Sequence, residues 1–310
     1  MSASGGTRAI VAAMLANLGI AISKFVAFLA TGSSSLLSES VHSMADTGNQ
    51  VLLIIGGRRS RQVADDAHPF GYGRLRYLYA FIVSIILFTL GGVFALYEGW
   101  HKVHHPEALS SPAWAFGVLG VAVLLESWSL RTAVHESNPL RGGRSWWAFL
   151  RHAKAPELPV VLLEDTGALL GLAFALVGVT LAVTTGNGAW DGVGSLAIGV
   201  LLVLIAMFLA FEVGSLLVGE GAGAEDVAAI RAALAGGGVQ SVIHLRTLYV
   251  GPDDLMVAAK VAVQHDDTAQ AVAEAIDAAE ARVRVSVPAV TLIYLEPDIR
   301  RPPESGSLPG

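Results

Sequence analysis

Apolar residues run in long unbroken stretches up to about residue 218, then give way to short alternating patterns. Six apolar runs of about 20 residues or more stand out, at 9–30, 36–57, 78–100, 114–134, 158–183 and 193–217. Each is long enough, as a helix, to cross the roughly 30 Å hydrocarbon core of a bilayer. After a short linker at 219–223 the period changes. Residues 224–235 read as an amphipathic helix. Residues 239–250 and 255–263 read as strands joined by a Gly-Pro-Asp-Asp turn, 268–283 as a second helix, and 289–295 as a third strand. The expected fold is an α-helical membrane protein of six transmembrane helices, followed by a small α+β (αββαβ) domain. The expected division is a transmembrane domain at 1–219, the small domain at 220–298 and a disordered tail at 299–310.

The second run is interrupted. Glu39, His42 and Asp46 fall where the span should be apolar. Ionisable groups inside a bilayer cost roughly 2.5–3.5 kcal/mol each on insertion scales, and they usually mark an ion or proton path. On a helix His42 and Asp46 are i and i+4 on one face, with Glu39 one turn earlier. One imidazole and two carboxylates on a stripe make half of a site for a divalent cation of zinc type; the plainer reading is polar glue between helices. A second stripe favours the metal reading. Span five opens Val-Val-Leu-Leu and continues into Glu164 and Asp165. Neighbours on a helix diverge by about 100°. One of the two faces the site, and the other reaches it obliquely or supports the first.

Other charges interrupt the spans more sparsely. Lys24 in span one has a stem long enough to snorkel to the outer surface, which is favoured over a gating role. Glu126 in span four is either an ion relay or a partner for a neighbouring helix. Asp191 reads as a helix-start residue and Glu212 as interfacial.

Composition narrows the class. The chain has 310 residues, of which 53% are hydrophobic and 15% charged, too apolar for a soluble protein of this length. The absence of cysteine excludes disulfides, thiolate metal sites and a cysteine nucleophile. A net charge of −6 argues against nucleic acid as a partner. Arg58, Arg59, Arg61, Arg74 and Arg76 crowd one loop, and Arg131, Arg141, Arg144, Arg151 and Lys154 another, whereas the turns at 31–35 and 184–190 hold no basic residue. The positive-inside rule then places both termini in the cytoplasm. The short polar start lacks a basic region before the first run, so no cleaved signal peptide is expected. That absence and the Ala/Gly-rich composition suit a bacterial inner membrane.

Several separated motifs carry a resemblance. They are the stretch 24–33 ending Thr-Gly-Ser, the His42-x-x-x-Asp46 pair, the loop Asp65-Asp66-Ala-His68-Pro-Phe-Gly-Tyr-Gly-Arg74, and Asp165. From about residue 8 to 297 the chain resembles the cation diffusion facilitator family, and most of all its mitochondrial zinc-transporter branch. The resemblance implies a homodimeric six-span transporter with a ferredoxin-like cytoplasmic domain. Such a protein exports divalent metal, usually zinc, in exchange for protons. The family's transport site falls on His42, Asp46 and Asp165, but its remaining position falls on Val161, which cannot bind metal. Glu164, about 60° around the helix from 161, is the nearest replacement, and Glu39 is a second candidate. Of the family's loop site, Asp65 and His68 are present but Tyr72 stands at the second histidine position, so that site is expected to be weak or absent. In the small domain His244 and Glu296 fall near family metal positions, but Tyr294 replaces a histidine, and His244 reads as a strand surface residue. His101, His104 and His105 read as a solvated turn in preference to a metal-scavenging loop.

The expected mechanism follows from the ligands. Binding needs neutral imidazole and ionised carboxylates, so loading a metal releases protons, and protons return when it leaves. Mixed nitrogen and oxygen donors favour zinc, and the same donors accept manganese, iron or cobalt. Two rivals are an intramembrane metal hydrolase, for which no His-Glu-x-x-His is present, and a non-transporting metal sensor or scaffold.

Overall fold

Residues 4–31, 34–106 and 112–299 are described by a computed structural model, within which two compact units separate. The first comprises residues up to 62 together with 75–217. It is all helical: α1 (Ser4–Thr31), α2 (Ser34–Arg59), α3 (Leu75–Ile86), a π-helical segment (Leu87–Val93), α4 (Phe94–His104), α5 (Pro112–Arg141), α6 (Trp146–His152), α7 (Glu157–Thr185) and α8 (Ala189–Val218). The segment from α3 to α4 runs as one 30-residue span, Leu75–His104.

Among the described residues five helices are long and apolar enough to cross a membrane: Gly6–Thr31, Leu75–His104, Pro112–Arg141, Glu157–Thr185 and Ala189–Val218. The expected sixth is α2. At 26 residues it has the length, but it does not meet the apolarity that defines the other five. The cause is the polar stripe of Glu39, His42, Asp46, Asn49 and Gln50. The short helix α6 was not legible as an element. It is started by Ser145, whose hydroxyl accepts the Ala148 N–H at 3.1 Å.

Packing divides this unit lengthwise. A buried core joins Ala9, Ile10 and Ala13 of α1, Leu53 of α2, Tyr77, Ala80 and Val83 of α3, Leu158, Val160, Val161 and Leu162 of α7, and Ala206, Leu209 and Val213 of α8. These residues lie at the start of α1, α3 and α7 and towards the end of α2 and α8, hence at one end of the bundle. Small residues let backbones approach at the other end. A Cβ on Gly99 of α4 would sit 2.6 Å from the Leu196 nitrogen of α8, and one on Gly199 would sit 2.8 Å from the Leu96 nitrogen.

The second unit contains residues 63–74 and those from 218 onward. It holds α9 (Ala224–Leu234), β1 (Ser241–Gly251), β2 (Asp254–Ala262), α10 (Ala269–Ser286) and β3 (Val290–Asp298), in the expected αββαβ order. The sheet order is β1-β2-β3, with β1 antiparallel and β3 parallel to β2. In β2, Leu255, Val257, Ala259 and Val261 are buried and join Ile230, Leu234, Ala279 and Val283 in one core, while Lys260 faces the other way. The proposed tail falls outside the described residues, apart from Ile299.

Candidate metal site

Glu39, His42 and Asp46 of the α2 stripe and the acidic pair on α7 line the same cavity. Its volume is about 310 Å³, and it is walled by α1, α2, α4, α5, α7, α8 and Leu87 of the π-helical segment. His42, Asp46, Glu39, Glu164 and Asp165 all line it. So do Asn17, Lys24, Glu98, Lys102, Glu126 and Asp191. Its lining reaches Thr31 at the end of α1, Lys102 in the last turn of α4 and Asp191 in the first turn of α8. The cavity therefore occupies the end of the bundle opposite the buried core.

Each candidate ligand has a protein partner. His42 Nε2 lies 3.9 Å from Asp46 Oδ2 across one helical turn, and its ring stacks near Phe94 at a centroid distance of 6.2 Å. Asp165 accepts the Ser129 hydroxyl of α5 at 2.7 Å. Glu164 accepts the Gln50 side-chain amide of α2 at 3.0 Å through Oε2, while its Oε1 is buried without a hydrogen-bond partner among the described residues. The consecutive acids thus diverge toward α5 and α2, as their angular separation requires. Glu39 pairs with the Lys24 ammonium at 3.5 Å. Among the described residues no three His, Asp or Glu side chains converge tightly enough to hold a metal ion. The cavity collects the donors without closing them around one point.

Val161 is fully buried in the core at the packed end and does not line the cavity, whereas Glu164 does. Lys24 does not snorkel. Its side chain is 16% exposed, it contacts Glu39, and it donates to Ser43 Oγ at 3.2 Å. The Glu39 carboxylate and the Ser43 hydroxyl outweigh the outer surface as partners for its charge. Glu126 is buried and lies within electrostatic range of Asp165, Asp46 and Lys24. Asp191 occupies the first turn of α8 as expected and also pairs with Lys102 at 3.0 Å, which in turn holds Glu98 at 2.9 Å. Glu212 pairs with Arg151 of α6 at 3.2 Å.

Sequence reasoning missed Gln50, Ser129 and Asn17, because neutral polar residues carry no distinctive spacing. It also missed the buried pair of Arg76 with Glu157, which joins the starts of α3 and α7 by two hydrogen bonds. The accessory sites are engaged otherwise. In the second unit the Tyr72 hydroxyl donates to Asp65 at 2.7 Å and holds its carboxyl below the usual range, helped by the His68 backbone N–H. Glu296 accepts from Lys260 at 3.0 Å, and His244 and Tyr294 are exposed on β1 and β3.

A multi-pass bundle with an acidic cavity among its spans defines an integral membrane protein of the ion-handling kind. Comparison with known proteins gives the family. The cation efflux transmembrane domain matches residues 10–218. The chain is 35% identical over 206 residues to the mitochondrial proton-coupled zinc antiporter SLC30A9 of Homo sapiens, covering 66% of this chain and 36% of that protein. It is 27% identical over 257 residues to metal tolerance protein C4 of Arabidopsis thaliana, covering 82% and 56%. It is 25% identical over 278 residues to the magnetosome protein MamM of Magnetospirillum gryphiswaldense, covering 87% and 80%. The chain belongs to the cation efflux, or cation diffusion facilitator, family. It spans about a third of the length of the SLC30A9 relatives it matches.

Proposed function

We propose that this protein carries a divalent cation, zinc before manganese, iron or cobalt, across its membrane in exchange for protons. One observation carries the reading: His42, Asp46, Glu164 and Asp165 line a single cavity within the helical bundle. The family and the names of the zinc-antiporter relatives support it. Glu164 is the fourth ligand in this reading, because its Oε1 has no protein partner to give up among the described residues. Glu39 is committed to Lys24. Loading requires the carboxylates ionised and the imidazole neutral, so each metal bound expels protons, and their return aids release.

The same proposal takes α2 as the sixth span, its polar stripe sheltered from lipid by the cavity it lines. It takes residues 1–219 as the transport domain and 220–298 as a ferredoxin-like domain. With both termini cytoplasmic, as the arginine-rich loops favour, the cavity opens away from the cytoplasm. A homodimer is the proposed assembly, and a bacterial inner membrane is the proposed location. Zinc flux into proteoliposomes under an imposed pH gradient tests the function, with Glu164→Ala beside the parent. Gradient-dependent flux in the parent, lost in the variant, is expected. Metal binding without flux in the parent overturns transport in favour of a sensor or scaffold; flux retained in the variant removes Glu164 from the ligand set.

A further inference from the structure

Lys24 is a fixed cation beside the metal donors. Its ammonium contacts Glu39, three residues before His42, and Ser43, the residue after it, and its charge reaches Asp46 and Glu126. The cavity otherwise carries a large excess of acid. Among its described lining residues seven bear carboxyl groups and two, Lys24 and Lys102, bear ammonium groups. A divalent ion entering such a site would be held strongly, because charge interactions deepen as the dielectric falls. A transporter must also let go. A tethered ammonium next to the donors opposes the bound metal and becomes the counter-charge of the carboxylates once the metal has left.

We propose that Lys24 is a built-in counter-cation that sets metal affinity and release, and that Glu39 serves as the carboxylate on which its ammonium is parked. This rests on the transport reading above. Two opposite effects follow. Removing the ammonium tightens metal binding and slows release. Removing the parking carboxylate frees the ammonium to face Asp46 and weakens binding.

The test is zinc flux into proteoliposomes, fitted for KM and kcat, with zinc binding to the detergent-solubilised protein by calorimetry. Lys24→Met is expected to lower KM and the dissociation constant by about tenfold and to lower kcat, and Lys24→Arg to restore the parental KM. Glu39→Gln is expected to raise KM in the parent and to leave it unchanged in the Lys24→Met background. If Lys24 merely braced the fold, Lys24→Met would lower the melting temperature and the active fraction without lowering KM, and the proposal would fall. If Glu39→Gln raised KM equally in both backgrounds, Glu39 would be a metal ligand and the parking role would be wrong. A parent that moves no metal sinks the transport reading itself, whereas a transporting parent with an unchanged KM in Lys24→Met sinks only this inference.

Discussion

At one end of the helical bundle Val160, Val161, Tyr77, Leu53 and Leu209 pack into a closed core. At the other end, the same helices turn Glu39, His42, Asp46, Glu98, Glu126, Glu164, Asp165 and Asp191 toward a shared cavity. The change of regime falls within single helices. On α7, Val160 and Val161 belong to the core, and Glu164, one turn on, belongs to the cavity. On α2, Asp46 lines the cavity and Leu53, two turns later, is core. A bundle sealed at one end and hollow at the other is what a protein needs if a cation is to be held inside the membrane without an open channel. The packed end also contains its own charges differently: Arg76 and Glu157 meet as a two-hydrogen-bond pair, whereas the cavity's acids outnumber its bases.

The contrast is broken most severely at the donors. Asp165→Ala and His42→Ala are expected to reduce zinc flux to the protein-free background while leaving circular dichroism and the monodisperse elution profile intact. Normal flux in either would detach the cavity from transport. At the packed end, Arg76→Ala leaves the Glu157 carboxylate buried and unpaired, at an expected loss of about 3–5 kcal/mol, read as a lower melting temperature. A stable Arg76→Ala protein would mean that the sealed end does not depend on this pair. Gly99→Ala forces a methyl group against the α8 backbone, and about 1–3 kcal/mol of destabilisation is expected by the same thermal assay. Ser129→Ala removes one donor from Asp165 while keeping the carboxylate, so KM for zinc is expected to move by about 1 kcal/mol, roughly fivefold, with the fold unchanged.

The smallest effect lies in the loop that follows α2. Asp65 titrates below its ordinary value of 3.8 because Tyr72 and the His68 N–H hydrogen-bond to its ionised form. A carboxyl held low in this way contributes stability above pH 4 that is lost as pH falls through its folded value. Tyr72→Phe is expected to raise the Asp65 titration toward 3.8 in a carboxyl-carbon NMR titration, and an unmoved Asp65 would remove Tyr72 as the cause.

By itself the sequence determined the order of the span-length helices and of the small unit's elements, though not α6, because apolar runs of span length and the alternating pattern after residue 218 are local properties of the chain. The αββαβ order, the strands near 241–251 and 254–262, and the two acidic stripes were all legible on that basis. α2 escaped the apolar rule for the same reason it mattered, since its charges lowered its hydropathy. What only the tertiary structure decided was partnership. Lys24 turned inward because Glu39 and Ser43 offered a contact that solvent could not match in a low-dielectric site. Gln50 and Ser129, featureless in the sequence, became the groups that part Glu164 from Asp165, and Val161 went to the core while Glu164 reached the cavity. Residues far apart in the chain meet only when helices pack, and which face each acid presents depends on the helix that arrives to meet it.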